Sequence, residues 1–212
     1  MLDRVETARN DSDTALFLAL LYSGELVLKL AAAALLAAVA DDRERNAKRV
    51  AQRLVRSDGL GGWVEALTDL LSGPASRYLV RESIADRNSL TEKHGRDSWQ
   101  FEAVSLLAEA LEVVGARASP IGSKIALRQW FIDLVTLRNR TRAHGATGPG
   151  TFRKAAPALE RSLRLMGSEL PLFLRPWGYV YKDLGGRRHL HSRWRPGACL
   201  VGPRGSHRRC LR

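Results

Sequence analysis

The sequence predicts an all-α fold: an antiparallel helical bundle of about five helices, followed by a basic, mostly irregular C-terminal tail. Three observations lead there. Apolar residues recur at helical spacing in several long stretches, turn-forming residues fall between those stretches, and no alternating strand pattern competes with them before residue 175. Charge divides the chain at the same place. Residues 175–212 carry ten Lys and Arg against one acid, Asp183, whereas residues 1–174 carry 24 against 21. The expected organisation is a near-neutral helical body over 1–174 and a basic tail over 175–212, so any argument from overall charge concerns the tail.

Taken in order, Asp11-Ser12-Asp13 is a helix-start signal, and helical spacing follows from Thr14 through Leu16, Leu20 and Leu21 into an Ala/Leu-rich run. Beyond Ala40 the pattern turns to Asp41-Asp42-Arg43-Glu44-Arg45 and then Lys48, Arg49, Arg53 and Arg56, with Val50, Leu54 and Val55 the only apolar positions. This predicts one long helix, or two with a break near Asp41, ending at Ser57-Asp58-Gly59. The charged run reads as a solvated face, with a basic RNA-tracking surface as its alternative. Trp63 to Leu71 forms a short helix stopped at Ser72-Gly73-Pro74. Residues 75–96 read as loop, with a helix around Tyr78 to Ile84 and His94 as a surface histidine. Asp97-Ser98 opens a clear helix whose stripe is Trp99, Ala103, Leu106, Ala110 and Val114, closed by Gly115. Another helix runs from Ser123. After the turn-rich Gly145–Gly150, Thr151 starts a last helix through Leu174, with Leu159, Leu163 and Met166 inward and Pro157 in its first turns. In the tail, Trp177 to Tyr181 alternates as a strand does, and Asp183-Leu184-Gly185-Gly186 offers a hairpin turn before an unordered end. Two readings of that end stay open: an arm contacting nucleic acid, or an accidental end such as an out-of-frame reading of a GC-rich gene.

Several function classes drop out. The two cysteines, Cys199 and Cys210, both lie in the tail, which argues against a disulfide-built secreted domain. Met1-Leu2-Asp3-Arg4 is not a signal-peptide opening, and the apolar run Leu30 to Ala40 is short for a membrane span, so a cytoplasmic protein with no membrane partner is expected. Gly59-Leu60-Gly61-Gly62 has neither the Lys-Ser/Thr ending nor the preceding strand of a phosphate loop. His189, His191, Cys199, His207 and Cys210 lack the paired spacing of a zinc site. No metal and no cofactor is expected.

The stretch that carries chemistry is Leu127 to Gly145. Leu127, Phe131, Leu134 and Arg138 fall on one helical face, so a guanidinium extends a stripe of core hydrophobes, where a charge is costly unless paired or used. His144 follows just before Gly145, a favoured helix-ending residue, and a helix C-terminus favours the protonated imidazole. Arg138-Asn139-Arg140-Thr141-Arg142-Ala143-His144 resembles the signature of the HEPN superfamily: an Arg, a polar residue, a short spacer and a His near the end of a bundle helix. The resemblance implies a metal-independent endoribonuclease with a toxin or antiviral-defence role. RNA supplies its own nucleophile, the 2′-OH. His144 would then serve as acid/base, Arg138 would stabilise charge on the scissile phosphate, and Asn139 would orient the phosphate or His144. Arg140, Thr141 and Arg142 would bind flanking RNA. One helix supplies one acid/base, so the resemblance also implies a homodimer with a composite cleft, and it admits an antitoxin or a larger defence protein as partner. Three other readings compete. The motif is a polar helix end with a capping His; the domain is a non-catalytic HEPN-like interaction or sensor module; or the tail makes the protein a binder of nucleic acid or anionic membranes.

Overall fold

In the computed structural model of the chain, which describes residues 2–142, 148–174, 177–182 and 188–194, helix follows helix. The order is α1 (Leu2–Asp11), α2 (Asp13–Ala37), α3 (Asn46–Arg56), α4 (Leu60–Ser72), a 3₁₀ turn (Pro74–Tyr78), α5 (Arg81–Thr91), β1 (Lys93–Gly95), α6 (Trp99–Val113), β2 (Lys124–Ala126), α7 (Arg128–Arg142), α8 (Pro149–Glu169), α9 (Pro171–Leu174), β3 (Trp177–Lys182) and β4 (Arg188–Trp194). The fold is all-α, and α2, α4, α6, α7 and α8 make its packed body. Two compact units result, Met1–Leu172 and Phe173–Arg212.

Helix α2 is the hub of the first unit, packing on α1, α4, α7 and α8. Ser12 caps it, its hydroxyl accepting the Ala15 N–H at 3.1 Å, as the Asp-Ser-Asp signal predicts. Among the described residues α2 is the helix long and apolar enough to cross a membrane, and 56% of its most apolar window is buried within the fold. Phe17 stacks on Phe152 of α8 with ring centroids 4.6 Å apart. A buried relay ties three further helices: Trp130 of α7 donates to Ser162 of α8 at 2.7 Å, and Ser162 donates to the Ala103 carbonyl of α6 at 2.6 Å. The inward positions read for α8, Leu159, Leu163 and Met166, are buried, as are Ala103, Leu106, Ala110 and Val114 of α6.

The structure departs from the sequence reading where tertiary contacts outweigh periodicity. A first helix, α1, precedes the start signal, held by the buried Val5 and by Arg9, which pairs with Glu160 of α8 at 2.7 Å. Of the two alternatives for the stretch up to Arg56, the structure has the second: α2 ends at Ala37, the chain breaks around Asp41, and α3 begins at Asn46. Beyond α2 the chain bonds to the segment after the 3₁₀ turn (Ala40 N–H to Tyr78 O, Val80 N–H to Ala38 O), and Asp42 accepts the Ala47 N–H at 2.7 Å to start α3. The helix expected around Tyr78 to Ile84 lies later and runs further, over Arg81–Thr91, with Ser83, Asp86 and Leu90 buried. A strand pair does exist in the body. β1 and β2 pair antiparallel with His94 opposite Ile125, three residues each, too short for alternation to reveal. That pairing leaves His94 half-buried, its Nε2 3.3 Å from the Ser89 carbonyl. β2 takes the residues read as the start of the signature helix, so α7 begins at Arg128. Helix α8 starts at Pro149 with Gly148 as its cap, and Pro157 sits well inside it, where its missing N–H forgoes one helical bond among small neighbours, Ala155, Ala156 and Ala158. In the tail, β3 pairs with β4 from Trp177–Trp194 to Lys182–Arg188, so residues 188–194, read as unordered, form a strand. The turn expected at Asp183-Leu184-Gly185-Gly186 and Cys199, His207 and Cys210 lie outside the described residues.

Candidate functional site

Helix α7 enters the bundle with Trp130, Phe131, Leu134 and Leu137 fully buried, and the expected stripe holds through Leu134. One turn on, the stripe reaches Arg138. What receives its charge is an acid on α2 of the same chain. Arg138 Nε lies 3.6 Å from Glu25 Oε1, and Arg142 Nη1 lies 3.6 Å from the same oxygen. These are ion pairs at a distance too long for hydrogen bonds. Glu25 is 9% exposed, and the Arg138 side chain keeps 29% of its surface. A buried carboxylate therefore sits between two guanidinium groups at the outer edge of the core.

The close approach of α2 and α7 has a sequence cause. A Cβ on Gly24 would stand 2.7 Å from Cδ1 of the buried Leu134, so only glycine lets the helices meet there. Glu25 is the next residue on α2, and Arg138 lies one turn beyond Leu134 on α7. Around this crossing Tyr22 of α2 adds a platform. The Arg142 guanidinium lies 4.6 Å from the Tyr22 ring centroid and donates from Nη2 to its hydroxyl, and the Arg4 guanidinium lies 5.1 Å from the same centroid. Three arginines from α1 and α7 thus gather on one acid and one aromatic ring of α2.

The residues read from sequence divide accordingly. Arg138, Asn139 and Arg142 come together, with Arg138 Nη1 donating to Asn139 Oδ1 at 3.3 Å. Arg140 is exposed and reaches over Gly115 at the end of α6, away from Glu25. Thr141 is 8% exposed, and its hydroxyl donates to the Leu137 carbonyl at 2.8 Å. This bond turns the hydroxyl onto its own helix. His144, with Ala143 and Gly145, lies outside the described residues. Sequence reasoning missed Glu25, Tyr22 and Arg4. A signal for Glu25 was present, since it is a lone acid inside the apolar span of α2, but nothing local says which helix answers it.

At its N-terminal end α7 is anchored by Asp133, buried at 2% exposure, whose Oδ1 accepts from Ser119 at 2.9 Å and from Gln129 at 3.2 Å. This ties the segment before β2 to the helix that carries the motif. Comparison with family models, with curated proteins and with solved structures gives no match.

Proposed function

We propose that this chain is a metal-independent endoribonuclease of the HEPN type, with a toxin or antiviral-defence role, acting as a homodimer on RNA. The observation that carries the reading is the clamp on Arg138. A motif arginine on a core stripe is ion-paired across 3.6 Å with a buried acid and hydrogen-bonds Asn139 through Nη1, which biases its side chain to this edge of the bundle before any phosphate arrives. Glu25 would be a positioning residue, acting through Arg138 and Arg142. His144 would move the proton between the 2′-OH, the scissile phosphate and the departing 5′ oxygen, and Arg140 and Arg142 would meet flanking phosphates. The second His144 would come from a second copy. Tyr22 and Leu26, exposed at 36% and 41% on α2 beside the clamp, offer that copy an apolar edge.

A second reading is favoured by the same acid. With Glu25 neutralising Arg138 and Arg142, the cluster also suits a non-catalytic interaction or sensor module that keeps the helical scaffold alone. The two part company when the full chain is incubated with RNA in EDTA. Cleavage by the parent chain, lost in both Arg138→Ala and His144→Ala, supports the nuclease. Intact RNA in all three leaves the interaction module.

A further inference from the structure

A second concentration of positive charge stands on α3. Its eleven residues, Asn46–Arg56, include Lys48, Arg49, Arg53 and Arg56 and no acid, and only Asn46 and Val50 are buried. Arg49, Arg53 and Arg56 follow one another on a single helical face, about 10 Å from first to last at ~1.5 Å per residue. Together with Gln52, Ser57 and Glu65 they line an open groove of about 560 Å³ between α3 and α4. The groove depends on Gly62 at its edge, because a side chain there would collide with Ser57.

The arginines are held in place to different degrees. Arg53 pairs with Asp69 at 3.1 Å, and Arg49 donates to Asn46 Oδ1 and to the Glu44 carbonyl. For Arg56 no partner is found among the described residues. One acid, Glu65, lines the groove against three guanidinium groups. We propose that this groove holds the phosphodiester backbone of single-stranded nucleic acid.

The row of donors along a helix suits a chain of phosphates better than one small anion, which needs donors converging on a point. Among the described residues no aromatic side chain lines the groove, so bases are not stacked there, and the strand is tracked by charge without regard to sequence. A membrane surface fits less well, because an interfacial helix presents bulky apolar side chains, and α3 exposes only Val55 prominently, at 88%.

The test uses the full chain carrying His144→Ala, so that cleavage plays no part, with a fluorescent oligouridylate followed by anisotropy over a salt series. Replacing Arg49, Arg53 and Arg56 together by Gln is expected to flatten the slope of log affinity on log salt by about 2, the share of three phosphate contacts on a single strand. Lysines at the three positions should restore most of the slope. Arg56→Glu alone, at a position that holds no internal pair, should weaken binding without disturbing the fold. Arg117→Gln, Arg128→Gln and Lys154→Gln together remove the same charge from exposed positions elsewhere and should leave the slope in place. The proposal is overturned if the parent chain does not bind the oligonucleotide, if the groove variant keeps the full slope, or if the distant triple flattens it equally. It is also overturned if the groove variant loses binding only to phosphatidylserine vesicles.

Discussion

Glu25 is the residue on which the local account turns. A carboxylate at 9% exposure has given up most of its water, and two guanidinium groups at 3.6 Å replace it. Taking away one member of such a set leaves the others badly matched. Glu25→Gln keeps the shape but leaves Arg138 and Arg142 facing each other without an anion. We expect it to cost about 1–3 kcal/mol, below the range for a fully buried pair because both arginines retain solvent contact. Urea unfolding measures this, and an unchanged or higher midpoint would remove the clamp from the account. Arg138 itself was legible in the sequence, since it continues the stripe of Leu127, Phe131 and Leu134. Its partner was not, because an ion pair spanning 113 positions leaves no periodic trace. Thr141, given a role only through the resemblance, is buried with its hydroxyl on the Leu137 carbonyl, a placement that helical spacing alone did not indicate.

Between elements, the crossing of α2 and α7 decides whether the clamp exists. A methyl on Gly24 would meet the end of the fully buried Leu134 side chain, which would have to shift within a packed core. Gly24→Ala is therefore expected to destabilise the fold by about 1–3 kcal/mol through overpacking. A crystal structure of the variant should show Glu25 displaced from Arg138, and an unmoved pair at parental stability would contradict the crossing argument. The joint of α1 and α8 makes a pH prediction. Burial pushes the Glu160 carboxyl up, but hydrogen bonds from Arg9 and Arg164 outweigh it and hold the group below the usual carboxylate range. In the window between the lowered and the ordinary value, the unfolded chain binds the proton that the folded one refuses. This contribution is thus present above the ordinary carboxylate range and lost as pH falls through the lowered value. The protection of α1 amides, corrected for their intrinsic exchange rates, should fall as pH drops through that window in the parent and depend less on pH in Glu160→Gln. Equal pH dependence in both would sink the assignment. The caps at Ser12 and Ser98 were legible because each depends on neighbours two or three residues away. The β1–β2 pair was not, since its partners are far apart in the chain, and the helix over 81–91 was read only in its first turn.

For the whole molecule, helical spacing was enough to identify the all-α class, because five long helices each bury a stripe wide enough to stand out from their polar faces. Most of the net basic charge lies in the tail, and the near-neutral body carries two local arginine clusters, one around Glu25 and one along α3. The first is where catalysis is proposed, and its chemistry leaves a signature in the ends of the product. The most direct measurement is the chemical identity of RNA termini after incubation with the full chain in EDTA, read by mass spectrometry. The account predicts 2′,3′-cyclic phosphate and 5′-hydroxyl ends from the parent chain and intact RNA from Arg138→Ala and from His144→Ala. Ends of another kind, cleavage that requires added metal, or the same products from both variants would contradict it.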